Sequence, residues 1–197
     1  MGMSLQQILD EIKERYPAAQ SLADSSIIRK INNLQAELFR TIHKPIVSDT
    51  RDIIANTFEY AISYSPSKIT GVIVDGTEIY ERNAKGSDVP QSHFYYFAEN
   101  KLCLYPTPPE DISDGMTVFH FQEPYILSTG DTGRLPDFDP DFHMMLVYGT
   151  IVSITEVFRG DMRDAFVSSY NDLEREFLKA QEKAEYHVIQ DVWGVFP

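Results

Sequence analysis

Apolar residues recur along the chain with two different periods, and the change of period divides it. At the start Leu5, Ile8, Leu9, Ile12 and Tyr16 fall on one face of a 3.6-residue helix that Ser4 can cap and Pro17 ends. Asp24-Ser25-Ser26 offers a second N-cap cluster for a helix to about His43. Its stripe is Ile27, Ile31, Leu34, Leu38 and Ile42, with Arg29, Lys30, Asn32, Asn33, Gln35, Glu37 and Arg40 on the polar side. The last third repeats the helical period. Residues 142–158 form one nearly unbroken apolar helix, Gly160-Asp161 breaks it, and a long amphipathic helix begins near Met162 and runs to about His187. There Phe166, Tyr170, Leu173, Phe177, Ala180, Ala184 and Val188 share a stripe, which predicts an antiparallel helical hairpin.

Between the helical ends the period falls to two. Residues 52–64 are β-rich, with Phe58, Tyr60, Ile62 and Tyr64 on one side. Asp75-Gly76 between alternating runs predicts a hairpin, and Phe94–Phe97 with Leu102–Tyr105 predicts another, stopped by Pro106, Pro108 and Pro109. Met116–Phe121 supplies a further strand. The expected fold is α+β: a helical core, from an N-terminal helix pair and a C-terminal hairpin, with an inserted antiparallel β sandwich or barrel-like module of about six strands. The expected boundaries are 1–48 and 134–188 for the core, 49–133 for the insert and 189–197 for a tail.

Composition narrows the function classes. At 197 residues, with 43% apolar and 24% charged residues, the chain is an ordinary globular one. Its net charge of −13 argues against tight binding of nucleic acid, which requires Lys and Arg to neutralise phosphates. The acids concentrate between residues 110 and 141, where Arg134 is the single base; a solvated loop face accounts for this, and so would a surface that lets DNA slide past. The single cysteine, Cys103, excludes an internal disulfide, fits a reducing compartment and reads as a small strand residue. The N-terminus lacks the charged and apolar regions of a signal peptide, and the 142–158 helix is too short and too often interrupted to span a bilayer.

No spacing of residues announces chemistry. His43, His93, His120, His143 and His187 are scattered one to an element, without zinc-ligand spacing. Asp137-Phe138-Asp139-Pro140-Asp141 resembles the start of a calcium loop but lacks its glycine and closing Glu; acids and a proline in the first turn of a helix explain it more simply. There is no phosphate loop and no nucleophile elbow, so neither enzymatic activity, metal nor cofactor is expected. The tail is more informative. Val192, Trp193, Val195 and Phe196 make an aromatic terminus that either folds onto the chain's own core or anchors a partner.

The order of motifs has a precedent. Ile27-x-x-Lys30-Ile31-Asn32-x-x-Gln35-x-Glu37-Leu38-x-Arg40 precedes an insert with Lys68-Ile69, Val72, Tyr95-Tyr96 and Asn100-Lys101-Leu102-Cys103-Leu104-Tyr105-Pro106-Thr107-Pro108. Phe119 to Pro124, Leu135-Pro136, Asp141-Phe142-His143, Tyr170 and Leu173 follow. This arrangement, over roughly residues 24–185, resembles the head–tail adaptor (connector) proteins of tailed bacteriophages. The resemblance implies a non-enzymatic virion protein, assembled in the host cytoplasm, that forms a ring, a dodecamer in the virion. Such a ring binds under the portal, contacts tail proteins and extends the DNA channel, without sequence-specific DNA binding or a membrane. It also implies portal docking by the C-terminal segment, hence by Val192, Trp193, Val195 and Phe196. The residues alone leave open a ligand- or carbohydrate-binding module that uses the aromatic strip Phe94–Phe97.

Overall fold

A computed structural model describes residues 2–82, 93–158 and 162–193, with the side chains of 156–158 and 183–193 outside the description. The fold is α+β and divides into two compact units, a helical one of residues 1–44 and 123–197 and a sheet unit of residues 45–122.

In the helical unit, α1 spans Leu5–Arg15 and opens with a capping box. The Ser4 hydroxyl accepts from the Gln7 amide (3.3 Å), and the Gln7 side chain accepts from the Ser4 amide (2.8 Å), satisfying two otherwise orphaned donors. The whole expected stripe of α1 is buried. Helix α2, Asp24–Leu38, starts one residue earlier than its polar cluster implies: the N-cap is Ala23, with no side-chain cap, and Asp24 stands in the first turn and pairs with Lys13 at 2.5 Å. A single π turn, Phe39–His43, follows and ends at Lys44 in the left-handed region.

Helix α3, His143–Phe158, is the centre of this unit and packs against α1, α2 and α4. Its Met145, Leu146, Val147, Ile151 and Ile154 are fully buried, which is why its sequence shows no polar face. Helix α4, Arg163–Trp193, returns antiparallel along it. Phe177 meets Phe142 at 5.0 Å between ring centres, and the Tyr170 ring lies beside Gly149. Along the expected stripe of α4, Phe166 and Phe177 are buried and Ala180 is exposed, while the side chains of Ala184 and Val188 lie outside the described residues; Phe177 stands opposite Phe142, just before α3 begins. Beyond Phe177 the helix continues for roughly 24 Å, to Trp193 rather than to His187. No helix among the described residues is long and apolar enough to cross a membrane.

Residues 123–133, which the sequence groups with the insert, belong to the helical unit. The side chain of Asn32 both donates to the Leu127 carbonyl and accepts from its amide (2.9 Å each), and Gln35 donates to the Tyr125 carbonyl (3.2 Å). Two residues assigned to the polar side of α2 are thus spent on a neighbouring backbone, and Gln35 is fully buried. The amides of Leu5 and Gln6 donate to the carbonyls of Arg134 and Thr132, tying the same segment to the start of α1.

The sheet unit holds β1 (Ile46–Ile53), β2 (Glu59–Ala61), β3 (Ile69–Val74), β4 (Thr77–Glu81), β5 (Phe94–Ala98), β6 (Lys101–Tyr105) and β7 (Ile112–Phe121), in the order β1-β7-β3-β4-β5-β6-β2. The sheet is mixed rather than wholly antiparallel: β4 and β5 run parallel, with Tyr80 opposite Phe94 and Glu81 opposite Tyr95. Both hairpins turn on two residues of positive φ, Asp75-Gly76 (46° and 72°) and Glu99-Asn100 (49° and 60°), the twist that suits adjacent strands. The two edge strands are consecutive in sequence, and that fixes the curvature. Six residue steps from Ile53 to Glu59 reach at most about 22 Å, whereas seven flat strands would hold their edges about 29 Å apart. The sheet must curl, and the Arg51 guanidinium of β1 reaches the Ala61 carbonyl of β2 across the opening.

Candidate partner-binding site

His143 and several of the acids are engaged in the fold. His143 is buried, with Nε2 2.9 Å from the Phe138 carbonyl and Nδ1 accepting from the Met3 amide at 2.9 Å, so it pins the N-terminal segment to the start of α3. Asp139 caps the turn before α3 by accepting from the Asp141 amide (3.0 Å), and Asp137 accepts from the Tyr125 amide (2.8 Å). Asp131 accepts from both the hydroxyl and the amide of Ser128 (2.7 Å each), which hold its carboxyl below the usual range. Asp111 accepts from the Ala55 amide at 2.6 Å. Four of the eight acids between residues 110 and 141 therefore serve as acceptors for main-chain amides, Asp131 and Asp139 locally and Asp111 and Asp137 at longer range. Among the described residues no group of His, Cys, Asp and Glu could hold a metal ion.

His43 behaves differently. Its ring lies among Phe39, Phe138 and Phe177, with centres 4.9, 5.5 and 5.7 Å away, and its buried Nδ1 has no hydrogen-bond partner among the described residues. Burial pushes its pKa below the ordinary 6.5, against an opposing pull from Asp139. As pH falls through 6.5 the unfolded chain takes up a proton that the folded chain resists, so stability drops from there down to the depressed folded value. Urea unfolding between pH 7.5 and 5 should show this loss in the wild type. His43→Phe should lack that component; an identical pH dependence in the two proteins would refute the assignment.

The aromatic strip of β5 is packed into the fold. Tyr95 lies in the core of the sheet unit with Phe97 against it, while Phe94, on the other face, is buried and stacked on Tyr105 at 4.8 Å. Cys103 is buried on β6, and burial raises its thiol pKa, the opposite of what a nucleophile needs. A shallow cleft of about 280 Å³ lies at the Asp75-Gly76 end of the sheet, with an apolar floor of Ile53, Ile79 and Leu104 beside Pro106 and Pro108.

Of the four tail residues singled out by sequence, Val192 and Trp193 fall in the last turn of α4. Their side chains, and Val195 and Phe196 entirely, lie outside the described residues. The tail starts as a continuation of a helix anchored by Phe166, Tyr170, Leu173 and Phe177 rather than as a loose terminus. Sequence reasoning passed over the strand β1, whose alternation is broken by Asp49 and Arg51; those two pair with each other.

A helical body with an inserted curled sheet and an over-long closing helix defines a two-part α+β class in which the reach of the last helix is the distinctive feature. The chain belongs to the SU10 adaptor protein family, whose profile matches residues 3–190. It is a bacteriophage adaptor of the head–tail type, a structural component of the virion from a family that is typically non-enzymatic. No curated protein matches it.

Proposed function

We propose that this adaptor sits beneath the portal ring and carries the DNA channel towards the tail. Copies associate into a twelvefold ring in the host cytoplasm, the portal promoting closure of a chain that is monomeric alone. Residues 1–44 and 123–188 form the body, 45–122 an insert and 189–197 the docking tail. Val192, Trp193, Val195 and Phe196 enter the portal, because large apolar and aromatic side chains at the end of a stiff helix supply binding energy at low ordering cost. The observation that carries this reading is helix α4, which runs on to Trp193, 16 residues past Phe177, the last of its side chains that is buried among the described residues. The net charge of −13 favours a channel through which DNA passes without adhering.

Deleting residues 189–197 tests the docking role. The expected result is loss of co-purification with the portal and an almost unchanged melting temperature. A fall of more than about 4 °C, the shift expected for 1–2 kcal/mol in a chain of this size, would assign the tail to the chain's own core. Retained portal binding would dismiss the docking role outright.

A further inference from the structure

The outer edge of β1 is an unused half of a β-ladder. The Gln122 amide donates to the Pro45 carbonyl (2.9 Å) in register with the β1–β7 pairs, so Val47, Asp49 and Arg51 exchange hydrogen bonds with β7. Alternation then turns the N–H and C=O groups of Ile46, Ser48 and Thr50 away from β7. The far side of β7 agrees. The Asp75 amide donates to the Gly115 carbonyl (2.8 Å), which makes Ile73–Thr117 and Gly71–Phe119 the bonded pairs with β3. Phe119 and Thr117, which stand opposite Ser48 and Thr50, are therefore spent on β3. Among the described residues the outward groups of Ile46, Ser48 and Thr50 have no hydrogen-bond partner. The other edge is different: β2 has three residues, and the outward carbonyl of Ala61 is already taken by Arg51.

Strand edges are usually blunted by charge, proline or a bulge. Here Pro45 stands before the strand, a register shift falls between Arg51 and Ile53, and the inward charges of Asp49 and Arg51 are spent on each other, leaving 46–50 regular. We propose that this edge receives an extended segment of a neighbouring copy of the chain, which joins the sheet as an additional strand. The proposal rests on the ring assembly above and names one contact within it. Charge selects the place: copies with net charge −13 repel one another, yet along residues 46–50 the exposed side chains, Ile46 (57% exposed), Ser48 and Thr50, are uncharged, Asp49 is neutralised by Arg51, and Asp52 lies beyond the regular stretch. Main-chain pairing supplies the attraction. A free edge on each copy that meets a different surface of the next is the heterologous contact a closed ring requires.

Hydrogen exchange on the isolated chain and on the portal-bound assembly tests this. The amides of Ile46, Ser48 and Thr50 should exchange freely in the isolated chain and slow roughly tenfold or more in the assembly, as for a gained main-chain bond. Ser48→Pro removes an N–H that bonds nothing within the chain, a position where an edge strand tolerates proline. It should leave the isolated chain folded by circular dichroism and weaken ring formation about tenfold, while Ser48→Ala assembles as the wild type. Free exchange at these three amides within an intact ring, or normal assembly of Ser48→Pro, overturns the proposal and leaves the adaptor reading standing. Protection in a complex that holds a single copy would assign the edge to the portal, which also overturns it. A wild-type chain that forms no ring with the portal removes the adaptor reading itself, and this contact with it.

Discussion

Phe177→Ala should lower the stability of the helical unit by about 3–5 kcal/mol, the usual cost of emptying a buried phenylalanine site. Phe177 is fully buried, and its ring is 5.1 Å from Phe138, 5.0 Å from Phe142 and 5.7 Å from His43. Those three come from the segment before α3, the turn that opens α3 and the π turn after α2, so one side chain of α4 closes a junction of three elements. Each favourable aromatic pair adds about 0.5–1.5 kcal/mol beyond burial, and the rigid helix ends around the site limit its collapse. The neighbouring Leu178, 43% exposed, is the internal control: Leu178→Ala should change stability by less than about 0.5 kcal/mol. Urea unfolding of the two variants reads the difference. Equal midpoints would mean that α4 is not held by Phe177. Protease cleavage within α4 should rise in Phe177→Ala, because loss of this buried anchor loosens the helix from α3.

How far the sequence could be read depended on whether a residue's partner was near it in the chain. The stripes of α1 and of the first half of α4 record burial directly, so helix period, the hairpin and the α+β class were all legible. The turn residues Asp75-Gly76 carry their own conformational requirement and marked their hairpin equally well. Gln35 and Asn32 failed the same logic: a polar residue on a helix reads as solvated, and only the fold shows the Tyr125 and Leu127 backbone lying against it. Strand β1 was hidden because its inward positions include Asp49 and Arg51. These satisfy each other and the Ala61 carbonyl, so no apolar alternation was needed. The parallel pairing of β4 with β5 was illegible for a similar reason, since register between distant strands is set by the whole sheet. The candidate tail and the long helix that leads out to it were both visible in the sequence; that the helix runs on to Trp193 rather than ending near His187 was not.

The same dependence on distant partners makes Gly149 the second critical position. A Cβ at residue 149 would stand 2.5 Å from Leu34 Cδ2, 3.2 Å from Leu34 Cδ1 and 3.0 Å from Tyr170 Cε2. Glycine in mid-helix costs roughly 1 kcal/mol relative to alanine, so its presence here reflects the close approach of α2 and α4 to α3. Tyr170 is itself closely packed there: burial, with Glu174 and Glu37 nearby, pushes its hydroxyl pKa up to about 12. The two neighbours differ in how they can respond. Leu34 presents the flexible end of a half-buried side chain, and a rotamer change moves it for about 0.5–1.5 kcal/mol. Gly149→Ala should therefore fall within about 1 kcal/mol of the wild type, the gain in helix propensity offsetting the shift of Leu34. Gly149→Leu has no such escape, because its branch must displace Leu34 and the Tyr170 ring together. It should cost about 3 kcal/mol, at the upper end for an overpacked core, and separate α3 from α4. Chemical denaturation of both variants distinguishes the cases: a leucine variant as stable as the alanine variant would show that the three helices do not meet at this residue.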